Sequence, residues 1–293
     1  MIRNRICHTL SLALVLAGGL AVVGASPAVA LPKGEYAVFE QCPLGNEEIS
    51  GCLVSRTESG EVTIGNQEVP IVNTQTLQGG VKNIATEVKE LVAAANGETL
   101  TKTPQKVPGG LADLIKCNEI KGLGLAEVLE RATCEVIFEN GVTGVNATTE
   151  LAAPASSVIL NLKNAELESE TTLTLPIKVK LENPLLGAEC YIGSNSNPMT
   201  LHLSTGKSGS LTGKLGEIST KAEGGILVVK NSRLVDNTFT APGVTGCGGL
   251  VSFLLDPIIN AKLGLPASSG TNSAVLNTTL ELASNGLVLE SEE

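Results

Sequence analysis

The chain has 293 residues with 20 basic and 30 acidic side chains, a formal net charge of −10, no Trp, two Tyr and four Phe. Because contacts to nucleic-acid phosphates and to anionic membrane surfaces need clustered Lys and Arg, this charge argues against both kinds of partner. The length fits one large β domain or two small ones, and the composition requires an aliphatic core.

The first thirty residues are typical of an export signal peptide. Arg3 and Arg5 give a positive start, residues 10–23 form an apolar run, and residues 28–30 supply the small side chains of a cleavage site. A retained membrane anchor is the alternative, but the run is short for crossing a bilayer. Cleavage would leave 18 basic and 30 acidic residues, a net charge of −12. No later stretch is apolar for long enough to form a transmembrane helix, so we expect a mature protein that is secreted or associated with the cell envelope.

Residues 31–110 are predicted to form strands, a hairpin and a helix packed on the main body. In residues 35–42 and 52–72 apolar side chains lie two apart, as in strands, and Gly65-Asn66 is typical of a hairpin turn. In residues 81–97 the apolar side chains recur at three- and four-residue steps, which predicts an amphipathic helix. The prolines and glycines of residues 97–110 predict an irregular connector.

Residues 111–293 are predicted to form the main body, a mainly β, antiparallel sandwich with a few short helices; residues 31–293 as one domain is the alternative. Residues 111–117 and 123–134 resemble short helices, and frequent strands with Gly, Asn and Pro turns follow. Residues 171–183 alternate most clearly, and Pro176 falls on their polar face, which predicts an edge strand or a bulge because proline lacks a donor. Further strands are predicted at residues 134–153, 198–205, 224–239 and 272–284, and a short helix with a loop at residues 248–266.

One histidine, His202, remains after the signal peptide, and it follows Leu201 and precedes Leu203 on the polar face of a predicted strand. An exposed strand residue is the simplest interpretation. A serine hydrolase would need a base at this residue and an orienting acid, but the chain has no Gly-x-Ser-x-Gly elbow. Gly206-Lys207-Ser208 resembles the end of a phosphate loop, but residue 201 is leucine where that motif needs glycine, so we predict a turn.

Acidic residues are numerous but carry no specific catalytic or metal-binding spacing. Glu166, Glu168 and Glu170 alternate as they would on the solvated face of a strand. Paired carboxylates suit glycosidase chemistry, and carboxylates bind calcium, but the chain has no Asp-rich loop of fixed spacing. We therefore expect no catalytic, cofactor-binding or metal-binding residues and no cofactor.

Six cysteines remain after the signal peptide, and an even number in an exported chain predicts disulfides. Six cysteines allow 15 pairings, and proximity along the chain favours Cys42 with Cys52, Cys117 with Cys134, and Cys190 with Cys247. Zinc is the alternative, but no Cys-x-x-Cys occurs and His202 stands twelve residues from the nearest cysteine.

Several strings are similar to a group of secreted, disulfide-containing, β-rich actinobacterial proteins that has no assigned activity. They include "LENPLLGAECYIGSNSNPMTLHLSTG", "NSRLVDNTFTAPGVTGCGG", "DPIINAKLGLPASSGTN", "FEQCPL", "ANGETLTKTPQKVPGGL" and the signal peptide. The resemblance covers most of the mature chain. It implies export and the pairing of Cys190 with Cys247, and it implies no functional residues.

The sequence therefore favours a non-catalytic, secreted or envelope-associated protein that is structural or binds a ligand. Its partner would be a cell-envelope component or an apolar ligand, bound on an apolar face that includes residues 248–266. A pore-forming or envelope-channel subunit is the first alternative, because long alternating strands suit a channel wall. An extracellular hydrolase that uses carboxylates is the second.

Overall fold

A computed structural model describes residues 31–111 and 144–292 of the chain, and residues 31–293 belong to one compact unit. The predicted signal peptide, most of the two predicted helices between residues 111 and 134, and the predicted Cys117–Cys134 disulfide lie outside the described residues. So does the first part of the strand predicted at residues 134–153.

The described residues are mainly β, antiparallel in every pairing, with a few short helices, which confirms the predicted class. The strands are β1 (Gly51–Ile64), β2 (Gln67–Ile71), β3 (Gln75–Ala85), β4 (Val88–Val92), β5 (Pro104–Val107), β6 (Val145–Leu151), β7 (Ile159–Asn161), β8 (Leu173–Glu182), β9 (Tyr191–Ile192), β10 (Met199–Leu203), β11 (Lys207–Ser208), β12 (Leu211–Thr212), β13 (Glu217–Lys221), β14 (Ile226–Asp236), β15 (Val244–Thr245) and β16 (Ser273–Ser284). The α-helices are α1 (Leu162–Glu166), α2 (Ser252–Leu263) and α3 (Asn285–Glu290), and short 3-10 helices span Gly34–Phe39, Ala155–Ser157, Ala222–Gly224 and Gly249–Val251.

The large sheet closes on itself. Its strands follow in the order β14, β16, β1, β3, β4, β7, β8 and β10, each paired with the next. Just after β10, Ser204 exchanges two backbone hydrogen bonds of 2.9 Å with Val235 of β14. Strands from residues 31–110 and from residues 144–292 therefore form one continuous wall.

The two faces of this wall bury separate clusters of apolar side chains. The larger cluster lies inside the closed sheet and includes Leu53, Leu77, Leu173 and Leu234. The smaller one lies on the outer face of β1, β14 and β16, where Phe39, Cys42 and Val288 cover Cys52, Val54 and Val228. Because side chains alternate across a strand, Leu53 of β1 packs in the inner cluster, and Cys52 and Val54 on either side of it pack in the outer cluster.

Strand β8 confirms the predicted alternation but not the predicted edge position. Leu173, Leu175, Ile177, Val179 and Leu181 are all buried. Pro176 lies in an interior strand, opposite Thr200 of β10. Its carbonyl accepts from Ala152, just beyond β6, at the point where β7 gives way to β6 as the neighbour. In an antiparallel strand the N–H and C=O of one residue point toward the same neighbouring strand. The position of the N–H that Pro176 lacks therefore faces the gap between β7 and β6, so its absence costs no hydrogen bond between strands.

The predicted helix over residues 81–97 is wrong, since β3, a turn and β4 occupy this stretch. Val81 pairs with Leu91 across the hairpin, and the register shifts between Asn83 and Ala85. At this irregularity the apolar side chains are spaced three residues apart instead of two. That spacing imitates the period of an amphipathic helix.

Residues 35–42 and 97–110 also differ from prediction. Gly34–Phe39 forms a 3-10 helix rather than a strand and brings Phe39 and Cys42 into the outer cluster. The connector contains β5, which pairs with β6. By contrast, the hairpin turn at Gly65-Asn66, the strands at residues 198–205, 224–239 and 272–284 and the helix within residues 248–266 are confirmed.

Candidate functional site

The closed sheet encloses a cavity of about 250 Å³. Its lining is mostly aliphatic and comes from all sides of the ring: Leu53, Leu77, Val81, Leu91, Val158, Leu160, Leu162, Ala165, Leu173, Leu215, Ile218, Leu227, Val229, Leu234 and Leu280. None of the described residues that line it is aromatic. The interior of an eight-stranded closed sheet can be filled by side chains or can hold one small ligand, and here the aliphatic side chains leave this space between them.

A row of hydroxyl side chains marks one level of the interior. Thr57 of β1 lies opposite Thr278 of β16, and Thr278 lies opposite Ser232 of β14. These positions are two or three residues beyond Leu280 and its cross-strand partners, Ser55 on β1 and Val229 on β14. On the opposite wall, the Thr172 and Thr205 hydroxyls lie 3.3 Å apart, and Thr205 donates to the Ala165 carbonyl at 3.0 Å. The apolar cavity thus has polar boundaries.

The rim of the cavity carries three charged side chains. Glu87 and Glu166 are exposed, and Lys89 is half-buried. Ile218, which also lines the cavity, is 60% exposed. Helix α1 is held at this end because the Leu162 N–H donates to the Glu87 carbonyl at 2.8 Å.

A smaller cavity of about 70 Å³ lies between β2, β5, β6 and β8. Gln105 lines it, but its side-chain oxygen accepts from the N–H groups of Val72 and Asn73, and its nitrogen donates to the Asn73 carbonyl. The polar group is therefore already satisfied within the protein.

His202 lies on β10 with its ring exposed, as predicted. Within the described part of the chain the imidazole makes no hydrogen bond; only the backbone N–H does, donating to Asp236 Oδ2 at 2.6 Å. Asp236 is fully buried and also accepts from Ser208 Oγ and from the N–H and Oγ1 of Thr238. The buried carboxylate therefore binds backbone and hydroxyl donors, and the histidine does not form a base–acid pair with it.

Glu166, Glu168 and Glu170 do not share one face of a strand, so this prediction is wrong. Glu166 ends α1, and Glu168 and Glu170 have φ angles of 46° and 21° in the following turn. All three are exposed, and Glu168 Oε1 accepts from the Leu215 N–H at 2.9 Å. In Gly206-Lys207-Ser208, the last two residues form β11, which joins β12 in a small hairpin.

The described cysteines form two disulfides, Cys42–Cys52 and Cys190–Cys247, as predicted. The second bond lies just before the segment 248–266, in which the sequence predicts a helix. There Asp256 of α2 accepts hydrogen bonds from the Gly246 and Cys247 N–H groups. Helix α2 is also fixed by Asn260, whose Oδ1 accepts from the Val244 N–H at 2.6 Å.

The segment just before α2 and its first turns expose an apolar surface. Leu250 is 98% exposed and Phe253 71%, and Val251, Leu254 and Ile258 are also exposed. We call these five residues the α2 surface. It is separate from the cavity, because none of them lines that space.

Across residues 31–111 and 144–292, no group of three or more His, Cys, Asp or Glu side chains is placed to hold a metal ion. None of the helices formed by these residues combines the length and the apolar character needed to cross a membrane. Comparisons of the chain with models of protein families, with curated proteins and with solved structures found no match. The resemblance to secreted actinobacterial proteins therefore stays a prediction.

The cavity is the feature that sequence reasoning missed. Composition did not reveal it, because an eight-stranded closed sheet can either fill its centre with aliphatic side chains or leave room for a small ligand. The alternation predicted which side chains face inward, but it did not predict that both faces of the core would come from one closed sheet.

Proposed function

We propose that this protein binds an apolar small molecule inside the closed sheet, as a secreted or envelope-associated protein without catalytic activity. The observation that carries the proposal is the aliphatic cavity of about 250 Å³ with an exposed rim. An engineered cavity of about 150 Å³ with a similar lining stays dry and binds benzene, so a larger apolar space favours ligand binding.

Two further observations support the proposal. The disulfides are typical of an oxidising, extracytoplasmic compartment, in which a free apolar ligand needs a carrier. The side chains that enclose the cavity are aliphatic, which favours transfer of an apolar group out of water. The channel and hydrolase alternatives gain no support from the described residues, because the interior is apolar and His202 and the glutamates at residues 166–170 are exposed.

The test is a titration of the full chain, secreted by an exporting host, with N-phenyl-1-naphthylamine, a neutral dye that fluoresces in apolar surroundings. We expect saturable binding of one dye per chain. Ser55→Phe fills the cavity without removing an apolar side chain and should weaken binding at least tenfold. Phe253→Ser alters only the α2 surface and should leave binding unchanged.

The reverse result would assign the dye to the α2 surface and contradict the proposal. Circular dichroism and the melting temperature establish that each variant is folded. Val229→Phe fills the cavity from β14, two strands away, so it replaces Ser55→Phe if that variant does not fold.

A further inference from the structure

We infer that the ligand is a single-chain amphiphile with a carboxylate head group, and that Lys89 Nζ binds this carboxylate at the rim of the cavity. The inference rests on the proposed function and specifies its ligand class. It joins two observations, the aliphatic interior and an ammonium group at its rim that has no carboxylate partner within the described residues.

Strand β4 directs Lys89 toward the interior. Leu91, two residues on, is buried in the cavity wall, and side chains two apart on a strand share a face. Asn83 lies opposite Lys89 on β3, and its Oδ1 accepts a hydrogen bond from Nζ. An ammonium group has three donors, so this neutral partner leaves donors for an anion.

The neighbouring lysine shows the contrast. Lys82 lies on the other face of the same hairpin, with Nζ 2.8 Å from Glu90 Oε1 and 3.9 Å from Glu48 Oε2. The hydrogen bond and charge of Glu90 raise the pKa of Lys82. Within residues 31–111 and 144–292, Lys89 has no carboxylate within 4.0 Å. The outward lysine of the hairpin, Lys82, therefore has carboxylate partners within the protein. The charge of the inward lysine, Lys89, is not matched by a carboxylate of the described residues.

Glu87 and Glu166 also stand on the rim and favour cations. Both are exposed, where water and salt screen their charges, whereas Lys89 is half-buried beside apolar side chains. A charge pair is stronger where water is partly excluded, so the contact with Lys89 dominates. A cationic amphiphile held by the two glutamates is the competing outcome.

The cavity volume of about 250 Å³ limits the length of the apolar chain. With the carboxylate at Lys89, the chain runs toward the hydroxyl row of Thr57, Thr278 and Ser232, where the apolar lining ends. We therefore expect saturated acids of medium length, such as decanoate, to bind more tightly than long-chain acids.

The experiment compares decanoate, decanol and decyltrimethylammonium by calorimetric titration of the full-length secreted protein. Wild-type protein should bind decanoate at least tenfold more tightly than decanol, as a charge-assisted hydrogen bond requires. Lys89→Met should abolish this preference while still binding decanol, Lys89→Arg should retain it, and Lys82→Met should leave it unchanged.

Equal binding of decanoate and decanol by the wild-type protein, or tightest binding of the cation, overturns the carboxylate assignment but not the proposed function. Binding of none of the three compounds overturns both. The wild-type preference needs no variant, so the inference stays testable if Lys89→Met does not fold.

Discussion

The backbone N–H of His202 on β10 donates a 2.6 Å hydrogen bond to Oδ2 of Asp236 on β14, at the seam where the sheet closes. The same carboxylate accepts from Ser208 and from both donors of Thr238. One buried acid therefore ties β10, β11 and the end of β14 together. Loss of the Asp236 carboxylate would leave these donors unpaired and would lower the free energy of unfolding, because the site excludes water.

Asp236→Asn should lower the free energy of unfolding by about 2 kcal/mol or more, since the amide would point an N–H₂ group at donors. Urea unfolding followed by circular dichroism measures the change. His202→Ala is the control and should have an effect within about 0.5 kcal/mol, because the ring is exposed and the backbone donor remains. A loss in His202→Ala as large as that in Asp236→Asn would show that the imidazole also stabilises the seam and would contradict this assignment.

The buried Glu281 should make stability depend on pH in the acid range. Burial by itself raises the pKa of Glu281, but the hydrogen bonds and charges of Lys221 and Arg56 outweigh it and hold the pKa below the ordinary value of 4.5. A depressed folded-state pKa contributes stability above the unfolded pKa and loses it as pH falls through the folded pKa. The melting temperature should therefore decrease as the pH drops below about 4.5. In Glu281→Gln this decrease should be less steep.

Removing both cations from Glu281 tests the same cluster at neutral pH. In the double variant Arg56→Met, Lys221→Met, the buried carboxylate keeps no basic partner among the described residues, and stability should fall by about 3 kcal/mol. Lys82→Met removes the basic partner of Glu90, whose side chain is 19% exposed against 5% for Glu281, so it should lower stability less than the double variant. A double variant as stable as Lys82→Met would contradict the assignment.

The two described disulfides should differ in their contribution to stability. Cys190–Cys247 closes a loop with a sequence separation of 57, and Cys42–Cys52 one of 10. The chain-entropy model gives about 4 and about 3 kcal/mol for these loops. Guanidinium unfolding of the paired alanine variants at each bond measures the two losses. A larger loss at Cys42–Cys52 would show that local packing in the outer cluster outweighs loop length.

The α2 surface should contribute little to stability. Leu250→Ser and Phe253→Ser remove exposed apolar side chains, so each should change the free energy of unfolding by no more than about 0.5 kcal/mol. Ile259→Ser, on the buried side of the same helix, is the matched comparison and should cost at least 2 kcal/mol. Thermal melts of the three variants give the order. A loss at Phe253 equal to that at Ile259 would mean that something covers this surface in solution.

The sequence predicted well wherever one strand has a buried and a solvated face. Leu173 to Leu181 and the Gly65-Asn66 turn needed only local rules, and the two described disulfides join cysteines that are neighbours among those present. The 81–97 hairpin was missed because an irregular register imitates a helix, and the interior position of Pro176 depends on which strand lies beside it. The cavity depends on ring closure at Ser204 and Val235, a pairing between distant residues that no local pattern encodes.

The wall of the cavity joins the two ends of the described chain. Strand β1 starts at Gly51, opposite Ser284 of β16, and both strands face the interior with Leu53 and Leu280. A chain emerging from its N-terminus therefore cannot assemble this interior until residue 284 has been delivered, and until then Leu53 and its neighbours lack their final partner. Pairing between such distant segments closes a long loop of chain, so the cavity can exist only in molecules whose chain already reaches residue 284.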